Sequence, residues 1–271
     1  MFEVDGVPHK DENRGEPPLQ VGNPRRARPL WLRVLLWVGS TMAFWAVVGL
    51  GGIYLLYLLV RGSLPALPEL AQYNPPQTTR VLSQSSLLIG EFAIERRDVV
   101  PADRIPRLLV QAFIASEDDN FFSHGGIDPM GILRAAIKNL RAGRIVQGGS
   151  TITQQVAKSL IGREKTFTRK FKEAILARRL ERKFTKEDIL YLYMNQIYLG
   201  HGSYGVQAAA LNYFHKNCWK LALPEMATLA GLPQAPSNYD PVEVPAAALE
   251  RRSYVLTRMR EEGFITEAEE Q

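Results

Sequence analysis

Residues 34–60 contain no charged side chain, and this apolar stretch constrains the fold more than any other feature of the sequence. It is longer than the roughly 20 residues that an α-helix needs to cross the hydrocarbon core of a bilayer. A cleaved signal peptide has a shorter apolar core and begins nearer the N-terminus, whereas a polar, proline-rich segment comes first here. We therefore predict one transmembrane helix over residues 30–61.

The charges on the two sides of this stretch predict its orientation. Several arginines precede it and a single base follows it closely: Arg25, Arg26, Arg28 and Arg33 before it, and Arg61 after it. Because positive charge stays on the cytoplasmic side, residues 1–29 form a cytoplasmic tail and the residues beyond the helix are extracytoplasmic. We expect a single-pass protein of the inner (cytoplasmic) membrane, with a proline-rich linker at residues 62–78.

The bulk composition leaves several classes of partner open. The net charge of +5 and the pI near 9.3 favour anionic partners such as phospholipid head groups, nucleic acid or a phosphorylated substrate. The single cysteine, Cys218, excludes an internal disulfide and a cysteine-built metal site. The histidines lack the paired spacing of a zinc site, and no nucleic-acid-binding fingerprint is present. We therefore expect no nucleic-acid partner.

The hydrophobic periodicity predicts a mainly α domain. Alternating apolar and polar residues at 79–100 indicate a small β-hairpin that turns near residues 84–86. Beyond Pro101 the helical period predominates and predicts helices over residues 105–117, 129–141, 151–160, 167–184, 186–199, 206–214, 224–232 and 246–262. We place one globular domain at residues 79–245 and a C-terminal helical segment at residues 246–271.

Three consecutive acids beginning with Glu117 stand beside Phe121 and Phe122. Glu117 falls at the C-terminal end of an apolar helix, where the helix dipole disfavours a negative charge. Neighbouring acids and aromatic contacts raise the pKa of a carboxyl group further, which suits a general acid or base. The alternative is a solvated acidic turn that ends the helix.

A second acid, Glu173, lies on the apolar stripe of the helix predicted over residues 167–184. Arg169 and Lys170 precede it by one turn on the same side. Ordinary ion pairs on a surface helix are one interpretation. The other is that Glu117 and Glu173 face one another as a pair of carboxylates, the arrangement that glycosyl chemistry uses.

The segment GGSTITQQVAK, residues 148–158, connects these two acids. Its glycines allow close approach of the backbone, and Thr151 with Gln154 fits a capping box at a helix start. The free N–H groups of such a first turn attract anions, and Gln155 and Lys158 follow on the same helix. A pyrophosphate or a sugar suits this segment, although many helices begin in a similar way.

Five motifs occur in order along the chain. They are Glu117-Asp118 with Phe121, His124, Gly126 and Asp128; GGSTITQQ at residues 148–155; Arg169-Lys170 with Glu173; KEDIL at residues 186–190 with Asn195, Tyr198, Gly200, Tyr204 and Gly205; and AGLPQAPS at residues 230–237. Together they resemble the motifs of the family 51 glycosyltransferases, the peptidoglycan polymerases found in class A penicillin-binding proteins and monofunctional transglycosylases. The resemblance covers roughly residues 79–262.

This resemblance implies a lysozyme-like helical domain that binds Lipid II and the growing glycan strand at the outer face of the membrane. It implies that Glu117 is the general base that removes the proton from the 4-hydroxyl of the acceptor sugar. The oxygen then attacks the anomeric carbon of the growing chain and gives a β-1,4 linkage with inversion. Asp118 is implied to be a structural partner of the site.

Seven further residues are implied to act on the leaving group or to bind substrate. Glu173 acts on the departing pyrophosphate with Lys158, Arg169 and Lys170, either directly or through a divalent metal such as Mg²⁺ or Mn²⁺. Ser150, Gln155 and Gln234 match positions of the family that contact substrate. The basic, amphipathic segment at residues 129–146 is expected to touch membrane lipid, and other cell-wall synthesis proteins are further candidate partners.

Two other functions stay open at this point. A lytic transglycosylase or hydrolase shares the lysozyme-like fold, although the set of Arg169, Lys170 and Glu173 and the membrane helix favour synthesis. An inactive membrane-tethered scaffold is disfavoured by the intact carboxylates. The transpeptidase motifs Ser-x-x-Lys, Ser-x-Asn and Lys-Thr-Gly do not occur in this sequence. The segment TRMREEGFITEAEEQ, residues 257–271, resembles the start of the linker that leads to the transpeptidase domain of class A enzymes, so we expect either a fragment of a bifunctional enzyme or a monofunctional one.

Overall fold

The computed structural model describes residues 29–67, 69, 75, 78–85, 87–92, 95–143, 148–161 and 167–271. The predicted tail, apart from its last residue, and most of the predicted linker lie outside these residues. The structure is 64% helical with few strands, which confirms the mainly α prediction. The chain divides into two compact units, residues 1–56 and 57–271, which are described separately.

The described part of the first unit is a single helix. It comprises most of α1 (Leu30–Arg61), whose bounds are those predicted from the apolar stretch. The helix is long and apolar enough to cross a bilayer, and its large apolar side chains are exposed. Its hydroxyl groups find partners within the helix, because Ser40 Oγ donates to the Trp37 carbonyl and Thr41 Oγ1 to the Val38 carbonyl, both at 2.8 Å. A polar group in hydrocarbon needs such a bond, since no water replaces it.

The second unit contains two small pairs of strands. β1 (Thr79–Leu82) pairs antiparallel with β2 (Leu88–Phe92), which confirms the predicted hairpin. β3 (Arg96–Arg97) pairs in parallel with β4 (Ser203–Tyr204), and this pair was not predicted. A strand of two residues is too short to show an alternating pattern, and its partner lies far away in the sequence.

The rest of the second unit is helical, and the predicted helices are confirmed to within a few residues. Two turns of 3₁₀ helix, Ala102–Arg104 and Cys218–Lys220, accompany nine α-helices in the described residues. The α-helices are α2 (Arg107–Glu117), α3 (Pro129–Ala142), α4 (Ile152–Ile161), α5 (Phe167–Lys183), α6 (Lys186–Gln196), α7 (Val206–Phe214), α8 (Leu223–Gly231), α9 (Pro245–Glu261) and α10 (Glu267–Glu270).

The largest error in a helix end concerns α6. Thr185 and Asp188 begin the helix with a reciprocal capping box, as expected from their residue types. The predicted end at residue 199 is wrong, because Ile197 already has an extended backbone and Tyr198 forms a bridge to Tyr204. Gly200 follows with φ of +89°, a conformation that favours glycine. The apolar residues after α6 are buried by this turn rather than by continued helix.

One hydrophobic core joins α2, α4, α5, α6, α8 and α9. Each of these helices contributes fully buried side chains, among them Leu109, Phe113, Val156, Leu176, Leu180, Ile189, Met194, Leu229, Val255 and Met259. The apolar positions recur at helical spacing, so each helix buries one face and leaves the other to water. The ends of α2, α4 and α5 are thereby held close together.

Helix α9 is part of this core. Val255, Leu256 and Met259 are buried in it, and Ile265 follows beyond the helix. The boundary predicted at residue 245 therefore does not coincide with a break in packing. The sequence motifs ended near residue 237, and an amphipathic helix alone does not reveal which core it covers.

Candidate active site

Glu117 is the last residue of α2, where the core ends and a loop begins. Its Oε2 accepts a hydrogen bond of 2.7 Å from Gln155 Nε2 on α4. Burial of the carboxyl group raises the pKa of Glu117 above its usual range, although the Gln155 hydrogen bond and the charge of Arg251 oppose the shift. A carboxylate in this position binds a proton more readily than one in water.

The residue after Glu117 ties the loop to the start of α4. Asp118 is buried, and its Oδ2 accepts a 2.9 Å hydrogen bond from the Ile152 N–H in the first turn of α4. Its Oδ1 lies 2.9 Å from His124 Nε2, while His124 Nδ1 accepts from the Gly126 N–H. Because Nδ1 accepts, Nε2 carries a proton and donates to Asp118. Asp118 is thus occupied by structural bonds.

The predicted capping box at the start of α4 is confirmed. The Gln154 N–H donates to Thr151 Oγ1, and the Thr151 N–H donates to Gln154 Oε1, at 3.1 and 3.0 Å. Thr151 Oγ1 also donates to the Gly126 carbonyl at 2.7 Å. Because Asp118 and Thr151 satisfy its first turn, α4 is rigidly attached to the loop that follows Glu117.

The two phenylalanines of this loop have different environments. Phe121 is fully buried, and Lys186 Nζ lies 4.3 Å from its ring centroid. Phe122 is 60% exposed, so of the two phenylalanines beside the acids only Phe121 anchors the loop in the core. The two rings contact each other edge to face, with centroids 5.3 Å apart, so Phe122 covers the buried ring of Phe121 from the solvent side.

Glu173 lies on α5 and is 1% exposed. Its Oε1 is 3.2 Å from Arg169 Nε, and its Oε2 is 2.7 Å from Lys170 Nζ. Lys170 Nζ also donates to Ser150 Oγ at 3.1 Å. Leu176, Ala177 and Leu180, on the predicted apolar stripe, are fully buried. The prediction that Glu173 faces inward among cations is confirmed, and the cations extend from it towards the loop before α4.

A single groove brings the predicted site residues together. It has a volume of about 240 Å³, and its lining includes Glu117, Ser150, Gln155, Lys158, Lys170, Glu173 and Gln234. Arg169 is the one predicted site residue that does not line it, and Arg169 reaches it only through its contact with Glu173. The two carboxylates therefore share one cavity, with a neutral amide beside the first and cations beside the second.

The groove also contains residues that the sequence interpretation missed. Arg251 and Tyr254 of α9 line it together with Ser116 and Pro233. A signal for Arg251 existed, because it shares a helical face with Ala248, Val255 and Met259, which are all buried. A charged residue on the buried face of a helix points to a specific role or a specific partner.

A protein-only metal site is absent from the residues that the structure describes, where no cluster of three His, Cys, Asp or Glu side chains exists. Glu173 fits a divalent ion only as a single carboxylate ligand. Mg²⁺ is commonly held by one or two carboxylates together with substrate phosphates. The donor set therefore suits an ion that arrives with a phosphorylated substrate better than a resident one.

A helical domain with two carboxylates and several cations around one groove is the class of site that sugar-transfer chemistry uses. The sequence model of the transglycosylase family, described as "Transglycosylase", matches residues 85–260. This is more than half of the chain, and the chain belongs to this family, which confirms the resemblance to the family 51 glycosyltransferases.

Individual relatives give the same result. Penicillin-binding protein 1A of Aquifex aeolicus is 52% identical over 216 residues, which cover 79% of this chain and 30% of the relative. Penicillin-binding protein 1A of Escherichia coli is 45% identical over 222 residues, which cover 82% of this chain and 26% of the relative. The chain spans less than a third of the length of these relatives. A solved structure of penicillin-binding protein 1A from Haemophilus influenzae is 29% identical to this chain. The match covers 72% of this chain and 19% of the solved chain, with a TM-score of 0.43.

Proposed function

We propose that the chain is a peptidoglycan glycosyltransferase that polymerises Lipid II into β-1,4 glycan strands and releases undecaprenyl pyrophosphate. The observation that carries this proposal is the common groove of Glu117 and Glu173, in which the two acids have different surroundings. Family membership supports the same reaction. One acid is suited to accept a proton, and the other lies where cations can meet a phosphate.

Glu117 acts in this proposal as the general base. Its carboxylate takes the proton of the acceptor 4-hydroxyl while that oxygen forms a bond to the anomeric carbon of the growing chain. The bond from this carbon to the pyrophosphate oxygen breaks, and the leaving group carries away its electron pair. Gln155 donates to Oε2 and so holds the carboxylate in one orientation, which leaves Oε1 to meet the hydroxyl.

The second carboxylate and its cations receive the leaving group. Lys170 and Lys158 line the groove, and Arg169 lies behind Glu173. Positive charge at this position stabilises the negative charge that develops on the departing pyrophosphate. Ser150, in the glycine-rich segment, accepts a hydrogen bond from Lys170, and Gln234 also lines the groove. We propose direct contact between the cations and pyrophosphate, with a divalent metal bound to Glu173 as the alternative.

Helix α3 is proposed to touch membrane lipid. Met130, Leu133, Ile137 and Leu140 lie on one face and are 42–84% exposed, whereas Ala135 is buried. Lys138 and Arg141 flank this apolar face and suit anionic head groups. Residues 144–146 of the expected lipid-contacting segment lie outside the described part of the chain.

The orientation in the membrane follows from the arginines before α1. We propose that the N-terminus is cytoplasmic, that α1 spans the inner membrane and that the groove is extracytoplasmic, where Lipid II is polymerised. Other cell-wall synthesis proteins are proposed partners. Cysteine labelling of residues 10 and 187 in intact cells tests the orientation, since only position 187 is expected to react with a membrane-impermeant reagent.

The test of the function is polymerisation of labelled Lipid II by the purified protein in detergent or vesicles. We expect glycan strands from the wild-type protein and from Glu250→Gln, a matched change at an exposed acid on α9. Glu117→Gln should keep the fold and lose the activity, because its amide cannot accept the proton. Normal polymer from Glu117→Gln would refute the role of Glu117. Soluble fragments released from preformed cell wall, without any polymer, would instead favour a lytic enzyme, and neither product would favour a scaffold.

A further inference from the structure

Arg251 is a buried cation that the mechanism above does not use. It is 8% exposed, and its Nε donates to the Gly231 carbonyl at 3.2 Å. Its guanidinium carbon lies 4.5 Å from the ring centroid of Tyr254 and 5.5 Å from that of Tyr239. No carboxylate forms an ion pair with Arg251 in the described residues. The charge is therefore held by one carbonyl and two aromatic faces, which stabilise a cation without neutralising it.

The position of Arg251 depends on a glycine in the neighbouring helix. Gly231 ends α8, and a Cβ atom built on it would lie 2.8 Å from Arg251 Cγ. Cγ belongs to the stem of the side chain, so a clash there moves the whole guanidinium rather than its tip. Gly231 thus allows the arginine to cross α8 and reach the groove.

Glu117 faces charged and titratable groups from several elements. Asp118 follows it in the chain and Tyr193 faces it from α6, where the charges of both acids and burial raise the pKa of the tyrosine. Across the groove lie Lys158 of α4, Lys170 and Glu173 of α5, and Tyr254 of α9. Arg251 is the cation whose charge acts most on Glu117, and no ion pair within 4.0 Å joins the two in the described structure.

These surroundings set a requirement for a general base. A carboxylate removed from water takes up a proton unless a positive charge compensates it, and a protonated carboxyl group cannot act as a base. A direct ion pair would compensate it too strongly, because the cation would compete for the oxygen that must receive the proton. A cation held at a distance by its own partners supplies the field without occupying the oxygen.

We propose that Arg251 is a positioning residue that keeps the Glu117 carboxylate ionised, and hence ready to accept a proton, inside a groove from which water is partly excluded. This rests on the proposed function, in which Glu117 is the general base. It adds a residue of α9 to the site and gives Gly231 a role in placing it.

The first test is the pH dependence of kcat/KM for Lipid II polymerisation. On the acidic side of this pH profile, kcat/KM rises as Glu117 loses its proton. Arg251→Gln should shift this acidic limb to higher pH by about one unit, so that kcat/KM falls roughly tenfold at pH values below the limb and changes little above it. Arg251→Lys should keep the limb near its wild-type position, because the charge is retained. Gly231→Ala should shift it in the same direction as Arg251→Gln while leaving the arginine in the chain. Arg260→Gln, at an exposed arginine of α9 that pairs with Glu270, is the control and should change nothing.

The second test measures the proton on Glu117 without any turnover. The protein labelled with ¹³C at the glutamate carboxyl carbons is titrated by NMR, and Glu117→Gln identifies the signal. The pH midpoint of the Glu117 titration should be higher in Arg251→Gln and in Gly231→Ala than in the wild-type protein. An equal loss of activity at every pH together with an unchanged midpoint would overturn the proposal and leave Arg251 a structural or substrate-binding residue.

The two proposals can fail separately. If Arg251→Gln does not fold, Gly231→Ala and Arg251→Lys still decide the question, since one displaces the charge and the other retains it. Absence of polymer from the wild-type protein would remove the proposed function itself, whereas an active Glu117→Gln variant would remove the role of Glu117 as the general base and with it the role of Arg251. An inactive Glu117→Gln variant combined with an unshifted limb in Arg251→Gln and Gly231→Ala would remove only the role of Arg251.

Discussion

The two carboxylates of the groove occupy opposite kinds of environment. Glu117 ends a helix, accepts a hydrogen bond from a neutral amide and lies near a cation that does not touch it. Glu173 lies within a helix, is almost fully buried and is in contact with Arg169 and Lys170. Burial therefore favours protonation of the first acid, whereas the second has the charge of its partners at short range.

This difference shows how one cavity supports two chemical tasks. An acid that must gain a proton needs desolvation with limited compensation, and an acid that organises cations needs direct contact with them. The rigid attachment of α4 to the loop after Glu117 keeps these environments separate, although both acids line the same groove. Four predictions test the comparison.

The largest expected effect comes from the support of the Glu117 loop. Phe121→Ala removes a fully buried ring and should lower the free energy of unfolding by about 3–5 kcal/mol. Phe122→Ala, at the adjacent exposed ring, should change it by less than about 0.5 kcal/mol. Chemical denaturation of the detergent-solubilised protein measures both. Equal effects would mean that the loop is not anchored through Phe121 alone.

The next largest effect is expected on kcat when the side chain of either acid is shortened by one methylene group. Glu117→Asp withdraws the carboxylate from Gln155 and from the acceptor, and about a hundredfold loss of kcat is expected from a displacement of this size. Glu173→Asp should cost less than about tenfold, because the long side chains of Arg169 and Lys170 can follow the carboxylate. Initial rates of Lipid II polymerisation measure both variants. The same loss in the two variants would contradict the difference drawn between the acids.

Removal of a cation beside Glu173 should lower kcat less than Glu117→Asp does. Lys170→Ala is expected to lower kcat about tenfold, in line with the loss of one charged contact to the leaving group. Lys172→Ala on the same helix is the control, since Lys172 does not line the groove. Assays with EDTA, and with Mg²⁺ or Mn²⁺ restored, test the metal alternative. We expect chelation to cost less than Lys170→Ala, and the reverse order would favour a metal on Glu173.

The smallest effect is one of stability. The raised pKa of Glu117 means that the folded protein binds more protons than the unfolded chain between pH 4.5 and that pKa. Stability therefore falls as the pH rises through this window, and the cost persists at neutral pH. Glu117→Gln should raise Tm by about 2–4 °C at pH 7.5 and by less as the pH falls below the window. A thermal shift series at several pH values measures this, and a variant that melts lower at neutral pH would contradict it.

Much of the fold was predictable because it depends on local pattern. The apolar run of residues 34–60 predicted α1, and the recurrence of apolar positions predicted every longer helix of the domain. The hairpin followed from alternation and the start of α4 from its capping box. The site residues followed from motif resemblance, and their roles remain proposals.

Other features could not be read from local pattern. The pairing of β3 with β4 joins segments about a hundred residues apart, and no local signal specifies such a partner. The different exposure of Phe121 and Phe122 depends on a turn whose direction is set by Asp118 and its bonds to α4 and His124. The domain boundary was predicted at residue 245, although the packing continues through α9.

The sequence by itself determined which segments are helical and which one can cross a membrane, because periodicity, length and residue type act locally along the chain, and its motifs made Glu117 and Glu173 the candidate acids. Only the tertiary structure decided that these acids share one groove, that Gln155 rather than a cation holds Glu117, and that Arg251 approaches it across Gly231. Those relations arise where helices distant in the sequence pack together, and the charge and solvent around a carboxyl group are properties of that packing.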